Sequence, residues 1–211
     1  MLTLQNISYQ HPNKDILFSD INLTVQNQEK IALIGNNGVG KSTLLKIIAK
    51  KSQSSNGIIN IETEPYYVPQ IFGQFDQLTI AQVLKIEDKL SALHEILNGN
   101  TSEDNFNSLD DDWTIEDRCN EALSYWQLNN LDLSKKMETL SGGQKTKVFL
   151  AGISIHQPEL ILLDEPSNHL DNVSRQLLYD LVLDTKSTLI IVSHDRKLLN
   201  LLNSVYELSK H

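Results

Sequence analysis

The sequence has a single cysteine, no long apolar run and no recognisable leader. Cys119 is the only cysteine of the chain, so no disulfide can form within it, which is typical of a reducing compartment. No stretch approaches the roughly 18 apolar residues that a membrane-spanning helix needs. The N-terminal residues MLTLQNISYQ lack the basic and apolar regions of a signal peptide. We therefore expect a cytoplasmic protein with no direct membrane insertion.

Positive charge is also scarce. The chain has 18 lysines and arginines against 27 aspartates and glutamates, which gives a formal net charge of −9. Nucleic-acid-binding domains are usually basic, so the balance does not favour a nucleic-acid-binding face. It favours a soluble surface that repels copies of itself.

The order of apolar patterns predicts an α/β fold. Two alternating runs near the N-terminus indicate antiparallel strands, and later uninterrupted runs such as Leu160–Leu163 indicate buried parallel strands. Between them, residues 78–139 have the pattern of an inserted helical subdomain. Within that insert, the sequence predicts one amphipathic helix over Thr79–Leu97, a loop over residues 98–112, and a helix capped by Thr114 with Asp117 in a shortened capping box.

A glycine-rich stretch, GNNGVGKST, follows the apolar run Ile31–Ile34 and precedes a helical pattern. Its spacing fits G-x-x-x-x-G-K-[ST], in which backbone N–H groups and a helix N-terminus bind phosphate. Lys41 is placed to reach the β- and γ-phosphates, and the Ser42 hydroxyl to ligate Mg²⁺. This stretch predicts a site for a nucleoside triphosphate.

Three further apolar strands end at polar residues: Gln70, the pair Asp164 and Glu165, and His194. Ligands of open α/β sheets bind beyond the carboxyl ends of the strands, so these residues should meet in one crevice. We expect Asp164 to hold Mg²⁺ through water and Glu165 to deprotonate the attacking water. The alternative for the pair is two exposed turn carboxylates.

Two further residues have less specific patterns. His194 can hydrogen-bond the γ-phosphate, or be an ordinary surface or core histidine. Tyr9 can stack on adenine, or lie at the rim of the site without a ligand.

The motifs GNNGVGKST, VPQ, LSGGQ, LILLDEP and SHD occur in the order and roughly the spacing of ATP-binding cassette (ABC) ATPases, which the sequence resembles over nearly its whole length. The resemblance implies a P-loop NTPase fold with a mixed central sheet, an N-terminal antiparallel β subdomain and a helical insert. The domain would be 1–211, with a core of 1–77 and 140–211. ATP and Mg²⁺ are the implied cofactors.

The resemblance also implies roles for individual residues. Glu165, His194 and Lys41 are the expected catalytic residues. ATP would be bound by Tyr9, Gly35, Asn36, Asn37, Gly38, Val39, Gly40, Lys41, Ser42, Thr43 and Gln70. Mg²⁺ would be held by Ser42, Gln70 and Asp164. Asp171 would lie in the D-loop, and the signature residues Ser141, Gly142, Gly143 and Gln144 would face ATP bound by a second cassette. The working unit would then be a head-to-tail pair of cassettes.

Within that family, EPSNHLD, SHDR and GGQKTKVFLAG look like the ABC-F branch, most like a first cassette. Its members join two cassettes in one soluble chain and act on the ribosome, as translation factors or in antibiotic resistance.

Members of that branch carry a helical arm between the positions of Gln70 and the signature. The stretch from Gln70 to Leu140 leaves room for a small arm at most, and residues 103–117 carry seven acidic residues with no lysine or arginine. Because the chain ends at His211, just after a strand, we expect a cassette cut from a longer chain.

Three functions compete at this stage. The first is an ATPase cassette of an ABC-F protein that works on ribosomes. The second is the nucleotide-binding subunit of a membrane transporter, and the third is a cassette that binds ATP without hydrolysing it. Asn168–Asp171 and Asp195–Arg196 resemble the soluble branch more than transporters, and the intact Lys41, Asp164, Glu165 and His194 favour hydrolysis.

Overall fold

The computed structural model describes residues 1–209, which form two β-sheets with associated helices. The strands are β1 Leu2–Gln10, β2 Ile16–Val25, β3 Lys30–Ile34, β4 Asn56–Ile61, β5 Tyr66–Val68, β6 Leu160–Asp164, β7 Thr188–Val192 and β8 Ser204–Glu207. The α-helices are α1 Lys41–Ile48, α2 Ile80–Val83, α3 Glu87–Leu97, α4 Glu103–Leu109, α5 Ile115–Tyr125, α6 Gly142–His156, α7 Asn172–Asp184 and α8 Arg196–Leu199. Two short 3₁₀ helices lie at Gly73–Phe75 and Met137–Thr139.

The first sheet is antiparallel and has the strand order β2-β1-β4. Alternate residues of β1, such as Leu2 and Leu4, are buried, as the period-2 pattern predicts. They join a core that includes Val25 of β2 and the inward residues of α1. This sheet therefore packs the N-terminal strands against the helix that follows the glycine-rich stretch.

The second sheet has the order β5-β6-β7-β3-β8, and its recorded pairs are parallel. Every residue of β6 and β7 is buried, which explains why these strands appear in the sequence as continuous apolar runs. Because neighbouring parallel strands end at one edge, the residues after β3, β5, β6 and β7 lie at the same edge of the sheet. The α/β fold class predicted from the sequence is confirmed, with the antiparallel and parallel strands in separate sheets.

The chain divides into two compact units. The first comprises Met1–Gln70, Pro158–Asn168 and the chain from Arg175 onward, and the second comprises Ile71–Gln157 and His169–Ser174. In the second unit, the Phe149 ring of α6 stacks on Phe72 at 5.2 Å and meets Phe75 edge-on at 5.0 Å. Lys145 also pairs with Asp76. These contacts place α6 with the insert, whereas the sequence predicted an insert of 78–139 only.

The helix predicted over Thr79–Leu97 is two helices. α2 ends at Val83, and α3 begins at Glu87. Between them Lys85 has a φ of 56°, in the left-handed region, while Leu84 and Ile86 on either side are buried. Burial of both flanking side chains fixes this break, and tertiary packing of this kind overrides the local periodicity.

The loop predicted over residues 98–112 is wrong in its centre, where α4 covers Glu103–Leu109. Its N-cap is Ser102, whose hydroxyl accepts the Asn105 N–H, and its Leu109 is buried. Asp110 and Asp111 then turn the chain with positive φ values that aspartate tolerates. One cap and one buried anchor are enough to order this polar stretch.

The predicted capping box at Thr114 is also wrong. Thr114 has a φ of −99° and a ψ of 6°, and its side chain accepts no cap hydrogen bond. Its hydroxyl instead accepts a hydrogen bond from Arg118 at 3.0 Å. Complete capping boxes occur at two places the sequence analysis passed over, Thr79 with Gln82 and Ser141 with Gln144.

Two features noted in the composition can be described in the structure. Cys119 is buried on α5, and burial raises the pKa of its thiol to about 11. Among the helices of residues 1–209, none is both long and apolar enough to span a membrane.

The corrected caps lead to a stability prediction. Replacing Thr79 by alanine removes the hydroxyl that caps α2, so we expect the free energy of unfolding to fall by about 1 kcal/mol in urea titrations. The matched control is Thr114→Ala, which removes no cap and should cost only a few tenths of a kcal/mol. Equal losses in the two variants would contradict this assignment of the caps.

Candidate functional site

The glycine-rich stretch forms a loop between β3 and the N-terminus of α1, as predicted. Gly40 precedes the helix with a φ of 107°, and a Cβ there would lie 2.7 Å from the Phe18 ring. Only glycine accommodates both conditions. The backbone N–H groups of the first turn of α1 have no partner within the helix, so they are available to an anion at this end.

Lys41 crosses back over the loop that it follows. Its side chain is largely buried, and its ammonium donates to the carbonyl oxygens of Gly35 at 2.8 Å and Asn36 at 3.1 Å. A buried ammonium needs such partners, and phosphate oxygens are stronger ones than neutral carbonyls. The charge is therefore already held at the mouth of the loop.

Asp164 ends β6 as a nearly fully buried carboxylate, with 1% of its surface exposed. Its Oδ1 accepts the Ser42 hydroxyl at 2.9 Å, and its Oδ2 accepts the Tyr67 hydroxyl at 3.2 Å. Burial raises the pKa of Asp164, and these two hydrogen bonds oppose that rise. Burial, and then the contact with Asp164, raise the pKa of the Tyr67 hydroxyl. The first unit thus joins the phosphate loop to β6 through a hydroxyl–carboxylate pair.

Glu165 follows with a φ of 52°, which is uncommon for a residue with a side chain and is typical of functional sites. Its backbone N–H donates to Val192 O of β7 at 2.8 Å. Its carboxylate faces His194 with both oxygens: Oε1 lies 3.4 Å from Nε2, and Oε2 accepts the His194 backbone N–H at 3.3 Å. The Glu165 carboxylate is 7% exposed and the His194 imidazole is 64% exposed, so a largely buried carboxylate is paired with an accessible histidine.

The structure positions Tyr9 and Gln70 less directly. The Tyr9 ring lies 6.1 Å from Phe18, the ring that approaches Gly40, and meets His11 edge-on at 5.5 Å. Tyr9 is therefore one aromatic ring away from the phosphate loop. Gln70 is exposed two residues beyond Val68, which pairs with Leu163 in β6. Adenine stacking by Tyr9 and metal binding by Gln70 stay predictions.

The residues around Ser42 suit a magnesium ion. In residues 1–209 no group of three histidine, cysteine, aspartate or glutamate side chains forms a metal cluster. Mg²⁺ does not need one, because it usually takes one or two protein oxygens and fills its remaining positions with water and phosphate oxygens. The Ser42 hydroxyl and the Asp164 carboxylate, 2.9 Å apart, are such oxygens. When bound, the ion would neutralise phosphate charge.

The signature residues lie in the second unit, at the start of the 15-residue helix α6. Ser141 is the N-cap: its hydroxyl accepts the Gln144 N–H, and Gln144 Oε1 accepts the Ser141 N–H at 2.9 Å. The Gln144 side chain therefore completes the cap. Ser141, Gly142 and Gln144 are exposed, so a helix N-terminus with an uncovered glycine faces outward.

The two signature glycines differ in their surroundings. A Cβ on Gly143 would lie 2.7 Å from the backbone oxygen of His169, whereas one on Gly142 would come no closer than 3.6 Å to the His169 ring. Gly143 is thus required by the close approach of the His169 backbone. Gly142 has room for a side chain, so the fold does not explain why it is a glycine.

Asp171 lies in the same unit and caps α7. Its Oδ1 accepts the Ser174 backbone N–H at 2.8 Å, and this bond is the main cause of its lowered pKa. Its Oδ2 lies 3.9 Å from the Lys147 ammonium of α6. The segment His169–Ser174 is therefore tied to α6 at two points, His169 against Gly143 and Asp171 beside Lys147.

Three residues to which the sequence analysis gave no role lie beside the candidate residues of their own unit. Tyr67 bonds Asp164, Phe18 lies against Gly40, and His169 lies against the signature glycines. The position of Tyr67, three residues before Gln70 in a strand beside β6, could have suggested its role. The sequence contained no comparable signal for Phe18 or His169, since both contacts join residues far apart in the chain.

The chain matches a known protein family. The family model described as ABC transporter matches residues 18–168, which is well over half of the chain. The match includes the phosphate loop, the signature residues and both carboxylates after β6. It ends before His194.

Many curated proteins are similar in sequence, and three of them illustrate the range. ABC transporter F family member 2 of Arabidopsis thaliana is 33% identical over 202 residues, which cover 93% of this chain and 26% of that protein. Protein GCN20 of Saccharomyces cerevisiae is 30% identical, covering 92% of this chain and 23% of that protein. The tylosin resistance ATP-binding protein TlrC of Streptomyces fradiae is 28% identical, covering 96% and 41%. The chain therefore spans about a quarter to two-fifths of the length of these three relatives.

Among solved structures, a bacterial ABC transporter cassette determined as a dimer superimposes with a TM-score of 0.74. The alignment covers 99% of this chain and 94% of that one, at 23% sequence identity. At 23% identity this likeness shows the shared fold and nothing more.

The difference between the two glycines can be tested by stability. Gly143→Ala forces the His169 backbone to move, so we expect a loss of about 1–3 kcal/mol in the free energy of unfolding. Gly142→Ala introduces a better helix former whose Cβ would make only an ordinary van der Waals contact with the His169 ring, so it should change stability by less than about 1 kcal/mol. The measurement is urea unfolding followed by circular dichroism. Similar losses in both variants would contradict the close approach to His169.

Proposed function

This chain belongs to the ABC transporter family of ATP-binding cassettes, and from that premise we propose that it hydrolyses ATP with Mg²⁺ as one half of a head-to-tail pair of cassettes. The observation that carries the proposal is that the phosphate loop, Asp164, Glu165 and His194 belong to one compact unit, and the signature residues belong to the other. The pair would complete each site with a phosphate loop from one cassette and a signature from the other.

In this proposal the residues of the first unit have separate tasks. Lys41 and the N-terminus of α1 bind the phosphates, and Ser42 and Asp164 hold the metal ion. Glu165 accepts the proton of the attacking water, and His194, which is more exposed, hydrogen-bonds the γ-phosphate. Tyr67 keeps one oxygen of Asp164 occupied, so that the other faces Ser42.

In the second unit, the exposure of Gly142 supports a role toward the partner. Its exposed position at the N-terminus of α6 lets a phosphate oxygen approach the free N–H groups there. The dimeric state of the superimposed bacterial cassette supports pairing as well. Asp171, in the segment tied to the signature helix, would face the same partner.

A mixing experiment tests the pair. Lys41→Ala disables the phosphate loop, and Gly142→Asp puts a carboxylate against the partner's phosphate while leaving the fold room for a side chain. Each variant alone should be inactive. Mixed in equal amounts, half of the pairs would carry one intact site, so ATPase activity should return to about a quarter of the unmodified level.

The control mixes Lys41→Ala with Glu165→Gln. Both changes lie in the same unit, so every mixed pair has two defective sites and should stay inactive. Recovery in this control, or none in the first mixture, would contradict the composite site.

We further propose that the chain is part of an ABC-F protein that acts on the ribosome in the cytoplasm, as a translation factor or in antibiotic resistance. The similarity to an F family member, to GCN20 and to the tylosin resistance protein supports this role. The second candidate is the nucleotide-binding subunit of a membrane transporter. The transporter cassette that superimposes on the chain favours it.

Co-sedimentation separates the two candidates. A Glu165→Gln variant of the full native protein should keep ATP and remain bound to ribosomes in its presence, because closure is no longer reversed by hydrolysis. The matched control adds Lys41→Ala, which removes ATP binding and should abolish the ATP-dependent fraction. Recovery of the protein with membranes, and not with ribosomes, would favour the transporter subunit.

A further inference from the structure

The charge of the chain is concentrated in one short segment of the helical insert. Residues 103–117 contain seven acidic side chains and no lysine or arginine. The formal net charge of all 211 residues is −9, so this short segment carries a large share of it. Four of the seven, Glu103, Asp104, Asp111 and Asp117, are exposed and make no ion pair among residues 1–209. The segment therefore presents uncompensated negative charge to solvent.

The same segment exposes two aromatic rings that touch. Phe106 of α4 and Trp113 lie 6.2 Å apart in an edge-to-face arrangement, with 42% and 48% of their surfaces exposed. The other tryptophan of the chain, Trp126, is completely buried. Aromatic residues are enriched in protein interfaces, and tryptophan is among the residues that contribute most of the binding energy there.

Ion pairs and buried neighbours order the turn that carries Trp113. Asp112, next to Trp113, forms a two-pronged ion pair with Arg118 at 2.7 and 2.8 Å and also contacts Lys89 at 3.3 Å. The hydrogen bonds from Arg118 lower the pKa of Asp112. Leu109 and Ile115 on either side of the turn are buried. The exposure of Trp113 is thus a feature of an ordered turn.

We propose that the acidic aromatic segment, residues 103–117, binds an arginine-rich segment of a partner protein. Guanidinium groups pair with the free carboxylates and stack on aromatic faces, so one residue type satisfies both features. The negative charge disfavours nucleic acid, an anionic membrane and a second copy of this chain. The inference uses only this segment, so it stands whether or not the chain is an ATPase.

The test is a fluorescence titration of the full chain with an oligoarginine peptide of about ten residues, with an oligolysine peptide of the same length beside it. Because Trp126 is buried, a change in emission on binding reports on Trp113. We expect saturable binding that weakens with salt and is several-fold tighter for oligoarginine than for oligolysine.

Two sets of variants make the test specific. Neutralising Glu103, Asp111 and Asp117 (E103Q, D111N, D117N) should weaken oligoarginine binding about tenfold. The matched control neutralises three exposed aspartates elsewhere (D20N, D88N, D184N), keeps the same net charge and should change binding less than about twofold. Phe106→Ala removes one of the two aromatic faces on which a guanidinium group can stack, so it should remove most of the preference for arginine over lysine. This variant keeps Trp113, so the fluorescence readout is unchanged.

Several results would overturn the proposal. Equal weakening in the two triple variants would show that only net charge attracts the peptide. Stronger quenching by a single-stranded RNA oligonucleotide or by phosphatidylserine vesicles would assign the segment to those ligands. Self-association of the chain that buries Trp113 would assign it to a second copy.

Discussion

The hydrogen bond between Ser42 and Asp164 connects the two parts of the phosphate site on which the first unit is organised. It joins the first turn of α1 to the end of β6 at 2.9 Å, and the acceptor is a carboxylate with almost no exposed surface. A buried carboxylate is stable only when its oxygens have partners, and Tyr67 satisfies the second oxygen. The geometry at the loop therefore depends on β5 as well as β6.

That dependence explains why the strand order matters for chemistry. β6 lies between β5 and β7, so Asp164 faces Tyr67 on one side, and Glu165 faces the His194 segment on the other. The left-handed backbone conformation of Glu165 occurs just where its carboxylate meets His194. Such strain persists only where surrounding contacts impose it, and the bond from its N–H to β7 is one of them.

Much of the site could be predicted from the sequence, because its residues follow strands with strong apolar patterns. A strand that ends in a motif positions the motif, and the sheet brings the strand ends together. The contacts of Phe18 and His169 could not be predicted in this way, since they join segments that are far apart in the chain. The sequence identified Gln144 as a residue of the signature motif but did not predict that its side chain would cap a helix. That role became visible only in the geometry of α6, where Gln144 Oε1 accepts the Ser141 N–H.

The helical insert was the least predictable part, for a physical reason. Propensity and periodicity describe local preferences, and here they were overruled by a few tertiary contacts: two buried residues around Lys85, the Ser102 cap, and the Asp112–Arg118 pair. Arg118 illustrates the point, because its bond to the Thr114 hydroxyl takes the group that the sequence assigned to a cap. The ion pairs that order the turn join Asp112 to Arg118 and Lys89, and Asp110 to Lys89. Four acidic neighbours in the same segment form no ion pair among residues 1–209. Unpaired carboxylates that lie close together repel one another, so this cluster of negative charge does not help the segment to fold. Its position beside two exposed aromatic rings is better explained by a basic partner.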